Sequence, residues 1–209
     1  MVPAELKIVG IILAAGLSKR MGVVKSLLPW GESFLLDRVI VNAYQSELAG
    51  LIVVLGHEAE TISKKVDFKD SKVIINPDYS TGQSSSLRVG LDGVPADVDG
   101  ALFLLGDQPF VGSKIINSLI RAFQKQSSSL IIPTCQGKRG NPVLAHRRVF
   151  KMIQGITGDT GPRVLFNSLK EQIQEVEVFD PAIHLDVDTI EDYRRLADAG
   201  FPEIAPLPK

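Results

Sequence analysis

Three basic side chains, Lys19, Arg20 and Lys25, fall within ten positions of Gly16 at the end of an apolar run, in KIVGIILAAGLSKRMGVVKSLLPWG (residues 7–31). Small residues let backbone N–H groups approach anionic oxygens closely, and cationic side chains add charge, arginine as a planar fork and lysine as a point charge. A loop that wraps a polyphosphate needs that combination; an ordinary solvated turn also has it. Acid stands at two further places. Asp107 follows a second apolar run in LFLLGDQPFV, and Asp186 and Asp188 lie in HLDVDTIED, two apart and so on one side of an extended segment. Mg²⁺ is usually held by one or two protein carboxylates together with substrate phosphates. The basic glycine loop and the distant carboxylates therefore point to a nucleotide–Mg²⁺ site, with Asp107 beside a helix-approach proline and Asp188 beside a helix start as the plainer alternatives.

Other chemistries find less support. The P-loop needs four residues between its first glycine and a Gly-Lys pair, whereas five separate Gly16 from Gly22 and Lys25 comes three later; the dinucleotide fingerprint lacks its middle glycine. No Gly-x-Ser-x-Gly elbow occurs, and GQSSS lacks the closing glycine. His57, His146 and His184 show no motif spacing, and the one cysteine, Cys135, excludes an internal disulfide framework and a multi-cysteine metal site. With 23 basic against 24 acidic residues there is no global field to attract nucleic acid or an anionic membrane, so any affinity for anions must be local. No apolar run approaches the ~20 residues of a membrane helix, and MVPAELK lacks the order of a secretory signal. The expectation is a cytoplasmic protein that engages neither membrane nor nucleic acid.

The elements that must position these residues alternate along the chain. KIVGIIL, LIVVLG, KVIIN, ALFLLG and LIIPT are short, continuous and bounded by turn residues, as strands buried on both faces of a parallel sheet are. Between them, SFLLDRVIVNAYQSELAG and SKIINSLIRAFQKQ carry apolar residues at helical spacing, with Ser33 and Ser113 as expected N-caps and Gly50 closing the first helix. Alternation of this kind implies right-handed βαβ units, and hence an α/β fold with a three-layer α/β/α arrangement around a mostly parallel, mixed sheet. Late in the chain CQGKRGNPVLAHRRVF reads as a turn, an extended segment and a helix, QEVEVFD as an added strand, and TIEDYRRLADAG as a helix with a Thr189–Asp192 capping box that stops at Gly200; the tail FPEIAPLPK reads as irregular. No linker divides the chain, so residues 1–209 are expected to form a single domain. In such sheets ligands sit outside the carboxyl ends of the strands, which is where Gly16 and Asp107 fall.

The motif LAAGLSKRMGVVKSLLPWG resembles the signature of the Rossmann-like nucleotidyltransferases that build nucleotide-sugars and related conjugates, the MobA-like transferases among them. The likeness is greatest to the molybdenum cofactor cytidylyltransferases, which join CMP to molybdopterin. NPDYSTGQSSSLRVGL (76–91), LLGDQPFV (104–111), RGNPVL (139–144), GDTGPRVL (158–165) and LDVDTIEDY (185–193) follow in family order over nearly the whole chain. The resemblance implies that Leu13, Ala14, Ala15 and Gly16 contact the nucleotide; that Arg20 and Lys25 grip the triphosphate and act with Asp107 in catalysis; and that Asp107 and Asp188 bind Mg²⁺, with Asp186 the weaker candidate. Ser84, Ser85 and Ser86, with Gln83 and Arg88, would border the nucleotide, and Arg139, Asn141 and Asp159 would face the acceptor. The implied reaction uses CTP, releases pyrophosphate, and yields a product that a molybdoenzyme partner could receive. Guanylyl-transferring relatives carry Gly-Gly where this chain has Ala14-Ala15, and an acidic residue where it has Val24, which leans toward cytidine. The alternatives are a transferase using GTP or another nucleotide with a sugar-phosphate-like acceptor, or a nucleotide-binding module without turnover.

Overall fold

A computed structural model describes residues 6–18, 21–126 and 128–198. Its centre is β1 (Ile8–Ala14), whose side chains are buried on both faces: Ile8 and Ile12 enter one apolar cluster, Val9 and Ile11 the other. Parallel to β1 run β4 (Gly50–Leu55) on one side and β6 (Gly100–Leu105) on the other, and β5 (Lys72–Ile75) extends the sheet beyond β4. Between β1 and β4 the chain makes a small antiparallel hairpin, β2 (Pro29–Trp30) with β3 (Ser33–Phe34), and then helix α1 (Leu35–Tyr44). On the far side of β6 the parallel rule breaks. There β9 (Val143–His146) pairs antiparallel with both β6 and β7 (Leu130–Cys135), β8 (Lys138–Arg139) folds back on β7, and β10 (Ile173–Glu177) pairs with β7 in parallel. The sheet order is β10-β7-β9-β6-β1-β4-β5.

Helices cover both faces, giving the three layers and the mixed, mostly parallel sheet expected. Apolar residues of α1, α4 (Ser113–Lys125), α6 (Ile190–Asp198) and the short α2 (Ala59–Ser63) pack into the cluster around Ile8 and Ile12, and those of α3 (Gln83–Asp92) and α5 (Phe150–Gln154) into the cluster around Val9 and Ile11. The chain leaves β1 for β4 on one flank and returns through α3 to β6 on the other, so β1 and β6 form the topological switch point. A crevice opens there at the carboxyl ends of the strands.

Several local expectations shift. Ser33 does not cap α1: it sits in β3 and its hydroxyl donates to Trp30 O at 3.1 Å, while the buried Asp37 accepts the Phe34 N–H at 2.9 Å and the Asp67 N–H at 2.8 Å. One carboxylate thus starts the helix and ties down a distant loop. Helix α1 ends at Tyr44 rather than running to Gly50, which begins β4, and Gly112 rather than Ser113 precedes α4 as its cap. The Thr189–Asp192 capping box is present, Asp192 N–H donating to Thr189 Oγ1 at 3.0 Å and Thr189 N–H to Asp192 Oδ2 at 3.0 Å. Gly200 and the proline-containing tail lie outside the described residues. Among the described residues no helix is long and apolar enough to cross a membrane.

Candidate active site

The floor of the crevice is made by close packing of small residues. Ala14 and Ala15 end β1, and each stands against a glycine at the end of a neighbouring strand: a Cβ on Gly106 would lie 3.0 Å from Ala14 Cβ, and one on Gly56 would lie 2.8 Å from Ala15 Cβ. Larger residues at any of these positions would pry the strand ends apart. With the ends drawn together, Leu13, Gly16, Ser18 and Lys25 from the β1 loop face Gly106 and Asp107 from the β6 loop across a cleft of about 610 Å³. The β1 loop is held by Ser18, whose backbone is left-handed (φ 49°) and whose hydroxyl accepts the Lys25 N–H at 3.1 Å.

Lys25 then reaches across the cleft. Its Nζ donates to Asp107 Oδ2 and to Asp188 Oδ1, both at 2.8 Å, joining residues 82 and 163 positions away in the chain. The three side chains are mostly shielded, 17, 24 and 33% exposed respectively. Burial disfavours the Lys25 ammonium, but the charges and hydrogen bonds of Asp107 and Asp188 outweigh it and hold its pKa above the ordinary 10.5. Asp188 is brought in by the backbone, because the Val187 N–H donates to Asp107 O at 2.9 Å and the Val187 side chain is fully buried. Asp107 Oδ1 is buried and has no hydrogen-bond partner among the described residues. A buried, unsatisfied carboxylate oxygen is costly unless something is meant to bind it. One orphaned oxygen, a second carboxylate alongside and a polyphosphate-sized cleft fit a hard divalent cation that takes its remaining ligands from substrate and water. No cluster of three or more acidic, histidine or cysteine ligands exists among the described residues, so the chain does not offer a complete all-protein cage.

The opposite wall is the start of α3. Gly82 precedes it at φ 112°, and a Cβ there would come within 2.6 Å of Asp159 N. This near-contact docks the GDTG loop on the helix: Asp159 Oδ1 accepts the Gln83 N–H at 3.1 Å, and Gly158 O accepts the Ser84 N–H at 3.3 Å. Two of the donors that a helix start leaves unpaired are thereby satisfied. Arg88, expected beside the nucleotide, instead donates from Nη1 to Ile156 O at 2.7 Å and anchors the same loop.

A smaller cleft of about 210 Å³ adjoins the first, sharing Leu13, Gln83 and Leu105. Asn141, Arg163 and Asp186 line it. Asp186 and Asp188 were expected to point the same way, but the segment is not a regular strand, and they part on either side of the buried Val187. Asp188 joins Lys25, whereas Asp186 Oδ1 accepts from Gln108 Nε2 at 2.6 Å and faces the smaller cleft. Partial burial and the charge of Asp107 raise the pKa of Asp186.

Most of the expected site residues thus converge. Leu13, Ala14, Ala15, Gly16, Lys25, Ser86, Asp107, Asp159 and Asp188 all border the larger cleft, and Asn141 the smaller. Ser84 and Ser85 are buried and line neither cleft; the Ser85 hydroxyl donates to Gly82 O at 2.8 Å and accepts from Asn76 Nδ2, shaping the turn. Arg139 lines neither cleft. It stands exposed on β8, which folds back on β7, paired with Glu175 of β10 at 2.6 Å and lying over the Phe166 ring at 5.4 Å. Arg20 lies outside the described residues. Sequence reasoning passed over Arg163, although it stands inside the GDTGPRVL motif; an arginine four positions after an expected ligand was the available signal.

A model of the MobA-like NTP transferase domain matches residues 10–175. A curated relative, the molybdenum cofactor cytidylyltransferase of Escherichia coli K12, is 31% identical over 88% of this chain and 92% of its own. The nicotine blue oxidoreductase of Paenarthrobacter nicotinovorans is 27% identical over 90% of this chain and 96% of its own. Among solved structures, Rv0371c of Mycobacterium tuberculosis H37Rv superposes with a TM-score of 0.83 at 30% identity, covering 92% of this chain and 98% of that one, and its complex with manganese superposes at 0.80. With the matched domain spanning most of the sheet and every strand end that builds the larger cleft, the chain belongs to the MobA-like NTP transferase family.

Proposed function

We propose that the protein is a Mg²⁺-dependent nucleotidyltransferase that moves CMP from CTP to the terminal phosphate of molybdopterin and releases pyrophosphate, its 209 residues acting as one transferase domain in the cytoplasm. The observation that carries this reading is the meeting of Lys25, Asp107 and Asp188 in a cleft floored by small residues at the β1/β6 switch point. Cytidine is favoured by Ala14-Ala15 and Val24 in the loop, and by the cytidylyltransferase relative.

In this reading the larger cleft takes the nucleotide and the smaller one the acceptor. A terminal phosphate oxygen of the acceptor attacks the α-phosphorus; the new P–O bond forms as the bond to the bridging oxygen breaks, and that electron pair leaves with pyrophosphate. The acceptor phosphate is ionised near neutral pH, so no strong general base is required. The three histidines agree: none lines either cleft, and His146 Nδ1 accepts the Arg148 N–H. What remains for the protein is alignment and charge compensation. The uncluttered backbone of Ala15 and Gly16 lies against the nucleotide, Lys25 offers an N–H to the phosphates, and Arg163 with Asn141 receives the acceptor. Asp107 and Asp188 would hold Mg²⁺, which when bound neutralises charge developing on the phosphates. The product would pass to a molybdoenzyme.

The test is direct. Purified protein is given Mg²⁺, molybdopterin and each of CTP, GTP, ATP and UTP, and pyrophosphate release is followed. CTP-selective release is expected. GTP-selective release would move the protein to the guanylyl branch, and no pyrophosphate release with any of the four would contradict the transferase reading.

A further inference from the structure

We propose that Lys25 is a stand-in cation that closes the metal site to a divalent ion arriving alone, so that metal and nucleotide bind only together. This inference rests on the metal assignment just given. The ammonium lies at 2.8 Å from Asp107 Oδ2 and 2.8 Å from Asp188 Oδ1, one oxygen of each carboxylate that would coordinate the ion. It is the residue that joins them: its side chain is 17% exposed, its backbone N–H is fixed by Ser18, and the Asp107 carboxylate has only Oδ1 left without a partner. A divalent ion binding at Asp107 Oδ1 would sit within a few ångströms of that ammonium, where like charges repel strongly in a shielded cleft.

A nucleotide changes the balance. Its phosphates present anionic oxygens beside Gly16 and Ser18, on the same cleft wall from which Lys25 extends. The lysine stem is flexible and its three donors are rotatable, so the ammonium can move onto phosphate oxygens and leave Asp107 and Asp188 free to hold the ion. The ion then offsets the two carboxylates and the ammonium offsets part of the phosphate charge, so neither the carboxylates nor the phosphates face one another uncompensated. Without the nucleotide, expulsion of Lys25 by metal would cost the ammonium both of its 2.8 Å carboxylate partners with no phosphate to replace them. By linkage the effect is reciprocal: the ion raises the affinity for the triphosphate as much as the triphosphate raises that for the ion. The device would suit an enzyme whose chemistry needs both, because neither is held idle.

The experiment is a titration with Mn²⁺ alone, read by the loss of the free-ion electron paramagnetic resonance signal, on wild type, Lys25→Met, Lys25→Gln and Lys25→Arg. Circular dichroism confirms that each is folded, and the two neutral variants serve for each other if one is not. Removal of the charge is expected to tighten Mn²⁺ binding by about tenfold or more, and the arginine variant to stay at the wild-type level. The gain should vanish when Asp107→Asn is added to Lys25→Met. Unchanged or weaker Mn²⁺ binding in both neutral variants would overturn the stand-in role. Calorimetry of Mn²⁺–CTP on wild type and Asp107→Asn separates the two failures. Binding lost in Asp107→Asn keeps the metal assignment while the stand-in role falls; no Mn²⁺–CTP binding to wild type, or binding indifferent to Asp107, sinks the assignment and the stand-in role with it.

Discussion

The two adjoining clefts are built by different means. The larger lies at the ends of parallel strands, where β1 and β6 run in register from Val9 opposite Ala101 to Leu13 opposite Leu105, and Asp107 and Asp188 are already joined there through Lys25. The smaller lies where the sheet turns antiparallel at β9, and loops supply its walls: Asn141 before β9, Arg163 after the GDTG turn, Asp186 before α6. No hydrogen bond or ion pair engages the Arg163 guanidinium among the described residues. A parallel sheet delivers strand ends to one place by its own geometry, which suits a ligand part shared across a family, the triphosphate. Loops can change without disturbing the sheet, which in the proposed function suits the acceptor.

The contrast can be broken most forcefully at Asp107. Asp107→Ala should reduce turnover by about a thousandfold, the scale of losing a principal charge-stabilising group, while far-ultraviolet circular dichroism stays that of the wild type. Pyrophosphate release near the wild-type rate would remove Asp107 from the metal site. The joint between the clefts is the next target. Gly82 lines the larger and its neighbour Gln83 both, so Gly82→Ala, strained at φ 112° and pressing on Asp159 N, should cost about 1–3 kcal/mol of stability and impair nucleotide and acceptor binding together. Thermal melting and separate titrations of the two substrates would show it.

Arg163→Ala sharpens the division of labour. It should raise the acceptor KM by about tenfold, the scale of one lost charge-assisted hydrogen bond, and leave Mg²⁺–CTP affinity unchanged; an equal loss for CTP would mean that the clefts are not functionally distinct. The smallest effect concerns pH. Because the Lys25 pKa is held above 10.5, the stability its charge lends is fully present below pH 10.5 and is lost as pH rises through the higher folded value. The difference in melting temperature between wild type and Lys25→Met should therefore be constant from pH 7 to 10 and shrink beyond pH 10.5.

How far the sequence revealed this molecule follows the same division. The parallel half was legible because strands buried on both faces read as unbroken apolar runs: KIVGIIL, LIVVLG and ALFLLG all fell where strands lie. Asp107 was legible because it follows such an element and Asp188 because it precedes a capped helix, whereas Lys25, eleven positions past β1, was marked by the basic glycine loop and its motif. What was not legible depended on tertiary contacts. Ser33 reads as a helix cap, yet the Trp30–Ser33 hairpin pairing and a buried Asp37 take that place. Ser84 and Ser85 were expected by resemblance to border the nucleotide, yet both are buried, and the Ser85 hydroxyl bonds Gly82 O and Asn76 Nδ2. Arg139 looks like an acceptor ligand by its motif, but nothing local announces that Glu175, 36 positions on, claims it. Nor could spacing show that Lys25 would meet both carboxylates rather than stand apart from them.

The most direct measurement is a crystal of the protein grown with Mn²⁺ and a non-hydrolysable CTP analogue, with data collected at the manganese edge. One anomalous peak is expected between the Asp107 and Asp188 carboxylates, with the triphosphate beside Gly16 and the Lys25 ammonium moved onto phosphate. A peak remote from Asp107, or a triphosphate bound outside the cleft between β1 and β6, would contradict it.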